Sequence, residues 1–94
     1  MRKHGRRDAN HTDIVGTFRA CGCSVLDCAD LGDGKPDLVV ATASACFVVE
    51  VKDGTKPPSA RKLTTKEQQF KDNWKGLYFV IESVDDVIKL LRDI

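Results

Sequence analysis

Residues 36–52 read PDLVVATASACFVVEVK. The most apolar stretch of a short chain thus opens on the Pro36-Asp37 pair and closes on Glu50 and Lys52. Strand interiors disfavour Asp, and an unpaired buried charge costs several kcal/mol, so two carboxylates and an ammonium in one such stretch imply a ligand. The stretch reads as two strands, 37–41 and 45–52, rich in Val and joined by a tight turn at Ala43-Ser44. Side chains alternate along a strand, so Phe47, Val49 and Val51 share one face while Cys46, Val48, Glu50 and Lys52 share the other. A two-residue loop would pair Thr42 with Ala45, Val40 with Phe47 and Asp37 with Glu50. Asp37 and Glu50 would then face each other with Cβ atoms ~5 Å apart, close enough to share one cation.

Two carboxylates and a backbone carbonyl beside Glu50, that of Val51, suit a hard divalent cation such as Mg²⁺, which takes oxygen ligands and keeps several waters. Lys52 on the same face would share with the metal the charge of a phosphoryl transition state. The plainer reading of the same residues is a surface salt bridge, which the apolar flanks disfavour.

The rest of the chain surrounds this hairpin with helices. Asp8 or Asn10 would cap a first helix carrying Ile14, Phe18 and Cys21 on one face and stopped by Gly22. A strand is expected over 24–28, followed by a loop, DLGDGK, over 30–35. After the hairpin, Pro57, Pro58 and Gly54 enforce a loop. Thr64-Thr65-Lys66-Glu67 is a capping box opening a second helix, with Phe70 and Trp74 on one face and Gly76 as terminator. LYFVI at 77–81 reads as a fully buried strand. Ser83 caps a last helix with Asp85 and Asp86 in its first turn and an apolar stripe of Val84, Val87, Ile88 and Leu91. The order is αβββαβα.

With 94 residues, one domain is expected. Hydrophobic residues at 41% and charged ones at 31% fit a soluble globule, and no apolar run is long enough to span a bilayer. No hydrophobic segment follows the charged MRKHGRR, so a cytoplasmic location without membrane attachment is expected. Cys21, Cys23, Cys28 and Cys46 raise a zinc or disulfide reading, but their spacing lacks paired CxxC knuckles, and reduced cysteines are expected.

Net charge is +1 but segregated. Residues 1–7 hold four cations and no acid, and 52–75 hold seven cations against three acids, a net +4 in each. Residues 8–51 hold seven acids against Arg19 and Lys35. An acidic centre between basic flanks suits a metal site beside a polyanion, although Lys-rich helices also serve as plain solvated faces.

Pro36-Asp37, followed after a dozen residues by Glu50-Val51-Lys52, resembles the PD-(D/E)XK nuclease superfamily. EVKDGTKPPSARKLTTKEQQF, residues 50–70, looks most like the small VRR-NUC domains of phages and bacteria, relatives of Holliday junction resolvases. The resemblance covers nearly the whole chain. It implies an α/β restriction-endonuclease-like core, αβββαβ(α), with a central mixed four-stranded sheet flanked by helices. It also implies that Asp37 and Glu50 bind Mg²⁺, or Mn²⁺ in its place, and that Lys52 assists catalysis. Many members add a first-helix Glu. Here Asn10, His11 and Asp13 are the candidates, with Asp27 another nearby acid. Gln68 and Gln69 resemble an accessory glutamine of some relatives, or are solvent-facing.

Arg6, Arg7, Lys56, Arg61 and Lys62 are the expected contacts to DNA phosphates. None offers base readout, so the expected partner is structured DNA, branched or with flaps, chosen by shape. Symmetric cutting of a junction would need two sites, hence a homodimer, with Trp74, Tyr78 and the last helix as interface candidates. The rival from another class is a nucleic-acid-binding module of the same fold that has lost turnover.

Overall fold

A computed structural model describes residues 8–94. Its elements are α1 (His11–Ala20), β1 (Ser24–Asp27), β2 (Leu38–Ala41), β3 (Cys46–Val51), α2 (Thr65–Asn73), β4 (Leu77–Ile81) and α3 (Val84–Asp93). Short 3₁₀ turns lie at Ala29–Leu31 and Pro58–Ala60. The strands form one mixed sheet in the order β1-β2-β3-β4. The first three are antiparallel neighbours, and β4 joins β3 in parallel through the crossover that contains α2. This is the α/β order that the sequence implies.

The hairpin has the expected register. Leu38 lies opposite Val49 and Val40 opposite Phe47, and Thr42 N–H donates to Ala45 O at 2.8 Å to close the two-residue loop. The Thr42 hydroxyl accepts from Ser44 and Ala45 N–H at 3.2 and 3.0 Å, which satisfies the turn's backbone. Each strand is slightly shorter than expected, so Asp37 sits one residue before β2 and Lys52 one after β3. Both are still held by the segment alongside. Asp37 O accepts from Cys28 N–H at 2.7 Å, and Lys52 N–H donates to Ile81 O at 3.0 Å.

Alternation then sorts the two faces. Leu38, Val40, Phe47, Val49 and Val51 are buried with Ile14, Val15 and Phe18 of α1 and Val87 of α3 in one core. Phe47 packs between Phe18 and Phe79, with ring centroids 6.2 and 5.3 Å away. The opposite face carries Val48, Glu50 and Tyr78, and α2 meets it. No residue of α2 is buried, and its apolar hold there runs through Phe70, 6.2 Å from the Tyr78 ring. One face is therefore a dense core and the other a thin layer with room for a cleft.

Three expectations need correcting. LYFVI is an edge strand and not a fully buried one: Leu77 is 48% exposed and only Ile81 is buried. The apolar run arises because one side of β4 meets the core through Phe79 and the other meets Phe70 through Tyr78. The inward stripe of α3 is Val87, Leu90 and Leu91, while Val84 and Ile88 are 38% and 39% exposed. Helix α2 ends at Asn73, with Trp74 extended rather than helical, yet Phe70 and Trp74 still stack at 5.3 Å.

Helix ends follow their sequence signals more closely. Thr64 and Glu67 form the full capping box, and Ser83 Oγ accepts from Asp86 N–H at 3.1 Å. Gly22 takes φ +88 after α1, which suits a residue without a Cβ. Asn10 occupies the N-cap position of α1, but its side chain makes no cap bond. Its Nδ2 donates to Lys52 O at 3.2 Å and to Glu82 O at 2.9 Å. It thus bolts α1 to the exit of β3 and the exit of β4.

Candidate functional site

The continued hairpin register sets Asp37 against Glu50 on the α2 face of the sheet. Asp37 Oδ2 accepts from Val51 N–H at 2.8 Å, which fixes its carboxylate at the β3 edge. Glu50 is 4% exposed, and its Oε1 is buried with no hydrogen-bond partner. Burial, the largest cause, lifts Asp37 above the ordinary carboxylate range against the lowering effect of the Val51 hydrogen bond. Glu50 rises much further, to about 10, through burial first and then the charges of Asp37 and Glu67. At neutral pH the pair therefore keeps a proton.

Lys52 completes the group. Its Nζ lies 2.7 Å from Glu67 Oε1 and 3.8 Å from Glu50 Oε2. Burial alone would lower its pKa, but the Glu67 hydrogen bond and the Glu67 charge outweigh that and hold it above its usual value. Glu67 has the converse balance. Burial would raise it, but bonds from Lys52 and from Thr64 N–H hold it low. A charged Lys52–Glu67 pair thus lies beside the Asp37–Glu50 pair and its retained proton.

Glu67 was legible only as a helix cap, because one oxygen does two jobs: Oε1 accepts from Thr64 N–H at 2.8 Å and from Lys52 at 2.7 Å. The capping box is what aims it at Lys52. Thr64→Ala is expected to cost about 1 kcal/mol of stability, read as a lowered urea midpoint, and to loosen Lys52 with it.

These residues line a cleft of about 1020 Å³. Asp8, Lys35, Lys56 and Lys66 also border it, with Lys56 Nζ 4.0 Å from Asp8 Oδ1. Gly34 brings Lys35 to this rim. It has φ +78, and a Cβ there would lie 2.6 Å from that of Lys66, so the 30–35 loop closes directly on the first turn of α2. Lys35, Lys66 and Asp8 went unnoticed as site residues because loop and cap patterns say nothing about which loops converge.

The other expected residues disperse. His11 is buried, and its Nε2 lies 3.0 Å from Asp27 Oδ2, so it faces β1 rather than the cleft. Asn10 is the bolt described above, and Asp13 is exposed on α1. Asp8, just before the helix, is the acid from this end of the chain that reaches the cleft. Gln68 donates to Asp72 at 2.8 Å on the solvent side of α2, and Gln69 is exposed. Lys56 borders the cleft, but Arg61 is committed to Lys56 O at 2.8 Å and Glu82 at 3.1 Å. Lys62 is exposed outside the cleft lining, and Arg6 and Arg7 lie outside the described residues. The four cysteines are free thiols. Among the described residues no helix is long and apolar enough to cross a membrane.

Among the described residues, no group of three or more His, Cys, Asp or Glu side chains is gathered as a metal cage. What Asp37 and Glu50 offer is a smaller donor set of a kind that fits Mg²⁺, a cation that uses one or two carboxylates and retains water. The orphaned Oε1 of Glu50 is a deficit that a cation would relieve, and a cation could take the place of the proton that the pair retains. The chain matches no protein-family model, no curated protein and no solved structure.

Proposed function

We propose that this chain is a Mg²⁺- or Mn²⁺-dependent nuclease that hydrolyses phosphodiester bonds in structured DNA, working as a homodimer on junctions. The observation that carries this reading is the buried Glu50 against the half-buried Asp37, beside Lys52, in a cleft bordered by Lys35, Lys56 and Lys66. Carboxylates this close hold either a proton or a cation, and the rim lysines, paired through exposed ion bridges with Asp33 and Asp8, can exchange those partners for a polyanion. The resemblance of residues 36–52 to the PD-(D/E)XK pattern supports the same assignment.

Asp37, Glu50 and the Val51 carbonyl would hold the metal, which supplies Lewis acidity toward a phosphoryl oxygen. Glu50 must release its proton to serve. Lys52, kept charged by Glu67, would donate to a non-bridging phosphate oxygen as negative charge grows there. Lys35, Lys56 and Lys66 hold the flanking phosphates, with no base readout among them.

Labelled four-way junction, flap and linear duplex, incubated with Mg²⁺, Mn²⁺ or EDTA, test the assignment. Cleavage that needs the metal and favours a branched substrate is expected. No cleavage of any of the three in either metal would sink it. Tight, salt-dependent binding without cleavage would instead carry the reading of a binding module that has lost turnover, which one observation favours: none of Asn10, His11 and Asp13 turns a carboxylate into the cleft.

A further inference from the structure

A second groove, of about 350 Å³, adjoins the cleft. Asp33, Lys35 and Lys66 border both, and beyond them the groove is lined by Gln69, Phe70, Asn73 and Trp74. Its floor is an aromatic platform. Trp74 is 42% exposed and lies nearly parallel to Phe70, with ring centroids 5.3 Å apart and 22° between planes. The indole is fixed, because its Nε1 donates to Leu77 O at 3.1 Å. Gly76 makes room for it, since a Cβ there would lie 3.0 Å from that nitrogen. The chain leaves its helix at Trp74 and so holds a large apolar ring, preset in one orientation, at the surface.

Resting on the nuclease reading, we propose that this groove receives an unpaired nucleotide next to the phosphate held in the cleft, with its base stacked on Trp74. The preferred substrate is then one in which a single strand leaves the duplex at the cleavage site. Aromatic rings bind any base through its π-face, and basic side chains alongside track the backbone. The two lysines shared with the cleft are where that backbone would run. Lys66 and Lys35 now pair with Asp33, but exposed ion pairs contribute little and exchange readily for phosphate. Asn73 Nδ2 donates to Gln69 O at 3.0 Å, which leaves its amide oxygen and the Gln69 amide at the rim, able to meet a base edge without demanding one base. A paired base has both faces already stacked, so blunt duplex gains nothing from the platform.

Trp74 is the chain's single tryptophan, so its fluorescence reports on this groove alone. With EDTA present to prevent cleavage, oligothymidylate and flapped duplex are expected to quench it and blunt duplex to leave it nearly unchanged. By fluorescence anisotropy of labelled DNA, Trp74→Ala should weaken binding of flapped duplex about tenfold or more. Binding of blunt duplex should stay within about twofold, and Trp74→Phe should recover much of the loss. Equal loss on both substrates, or no quenching by any unpaired strand, would overturn the proposal. If the quenching and the selective loss hold while the wild-type protein cleaves nothing, the nuclease reading fails and the stacking site stands. If the wild type cleaves and Trp74→Ala discriminates nothing, the reverse is true.

Discussion

Glu50→Gln is expected to cleave no faster with Mg²⁺ than without it, and yet to be more stable than the wild-type protein at pH 8. The two effects have one cause. Glu50 is buried against Asp37 and near Glu67, and its pKa is pushed up to about 10, whereas an unfolded Glu titrates near ~4.3. A group whose folded pKa is raised contributes stability that is full below the unfolded value and is lost as pH climbs toward the folded one. From about pH 4.3 upward, unfolding of the wild-type protein therefore releases a proton. Its stability should fall by up to about 1.4 kcal/mol per pH unit from this group. Gln keeps the shape, cannot ionise and removes that slope, so the advantage of the variant widens from pH 5 to pH 9 in urea titrations. Mg²⁺ should act in the opposite sense on the wild type, because it binds the ionised carboxylate and stabilises by mass action. Calorimetry should show one proton released as metal binds near neutral pH, and neither heat nor stabilisation in Glu50→Gln. A variant that still binds Mg²⁺ and cleaves like the wild type would remove Glu50 from the site.

The hairpin was legible because its residues obey one strict period. Phe47, Val49 and Val51 fix the buried face, a two-residue loop fixes the register, and together these set Asp37 against Glu50. The capping box at Thr64 and the cap at Ser83 were equally direct, since a cap depends on neighbours in sequence. What failed depended on neighbours in space. The apolar run of β4 looks the same whether the strand lies inside a sheet or at its edge, and only the strand order reveals that Leu77 is exposed. His11, Asn10 and Asp13 were candidates by position on α1, but a 100° step per residue separates their fates. His11 turns to Asp27, Asn10 to Lys52 O and Glu82 O, and Asp13 to solvent. Lys35 and Lys66 meet at the cleft because Gly34 lets the 30–35 loop touch the first turn of α2, a contact with no sequence period at all.

Lys52→Ala should separate chemistry from metal binding at the same site. Lys52 is no oxygen donor, and its removal takes a positive charge from 3.8 Å beside Glu50, so Mg²⁺ affinity by calorimetry should hold or rise. The single-turnover rate at saturating Mg²⁺ should fall on the order of 10²-fold or more, the usual loss when one preorganised charge on a transition state is deleted. DNA affinity should change little, because Lys35, Lys56 and Lys66 still border the cleft. The partner of Lys52 allows a graded control. Glu67→Gln keeps an oxygen for Thr64 N–H but weakens the charged bond that aims the ammonium, so its rate should lie between wild type and Lys52→Ala. That ordering distinguishes an aimed charge from a bystander, since loss of a mere surface ion pair would leave all three rates alike. If Lys52→Ala cleaves at the wild-type rate, the ammonium stabilises Glu67 and nothing more, and phosphoryl charge must be met by the rim lysines.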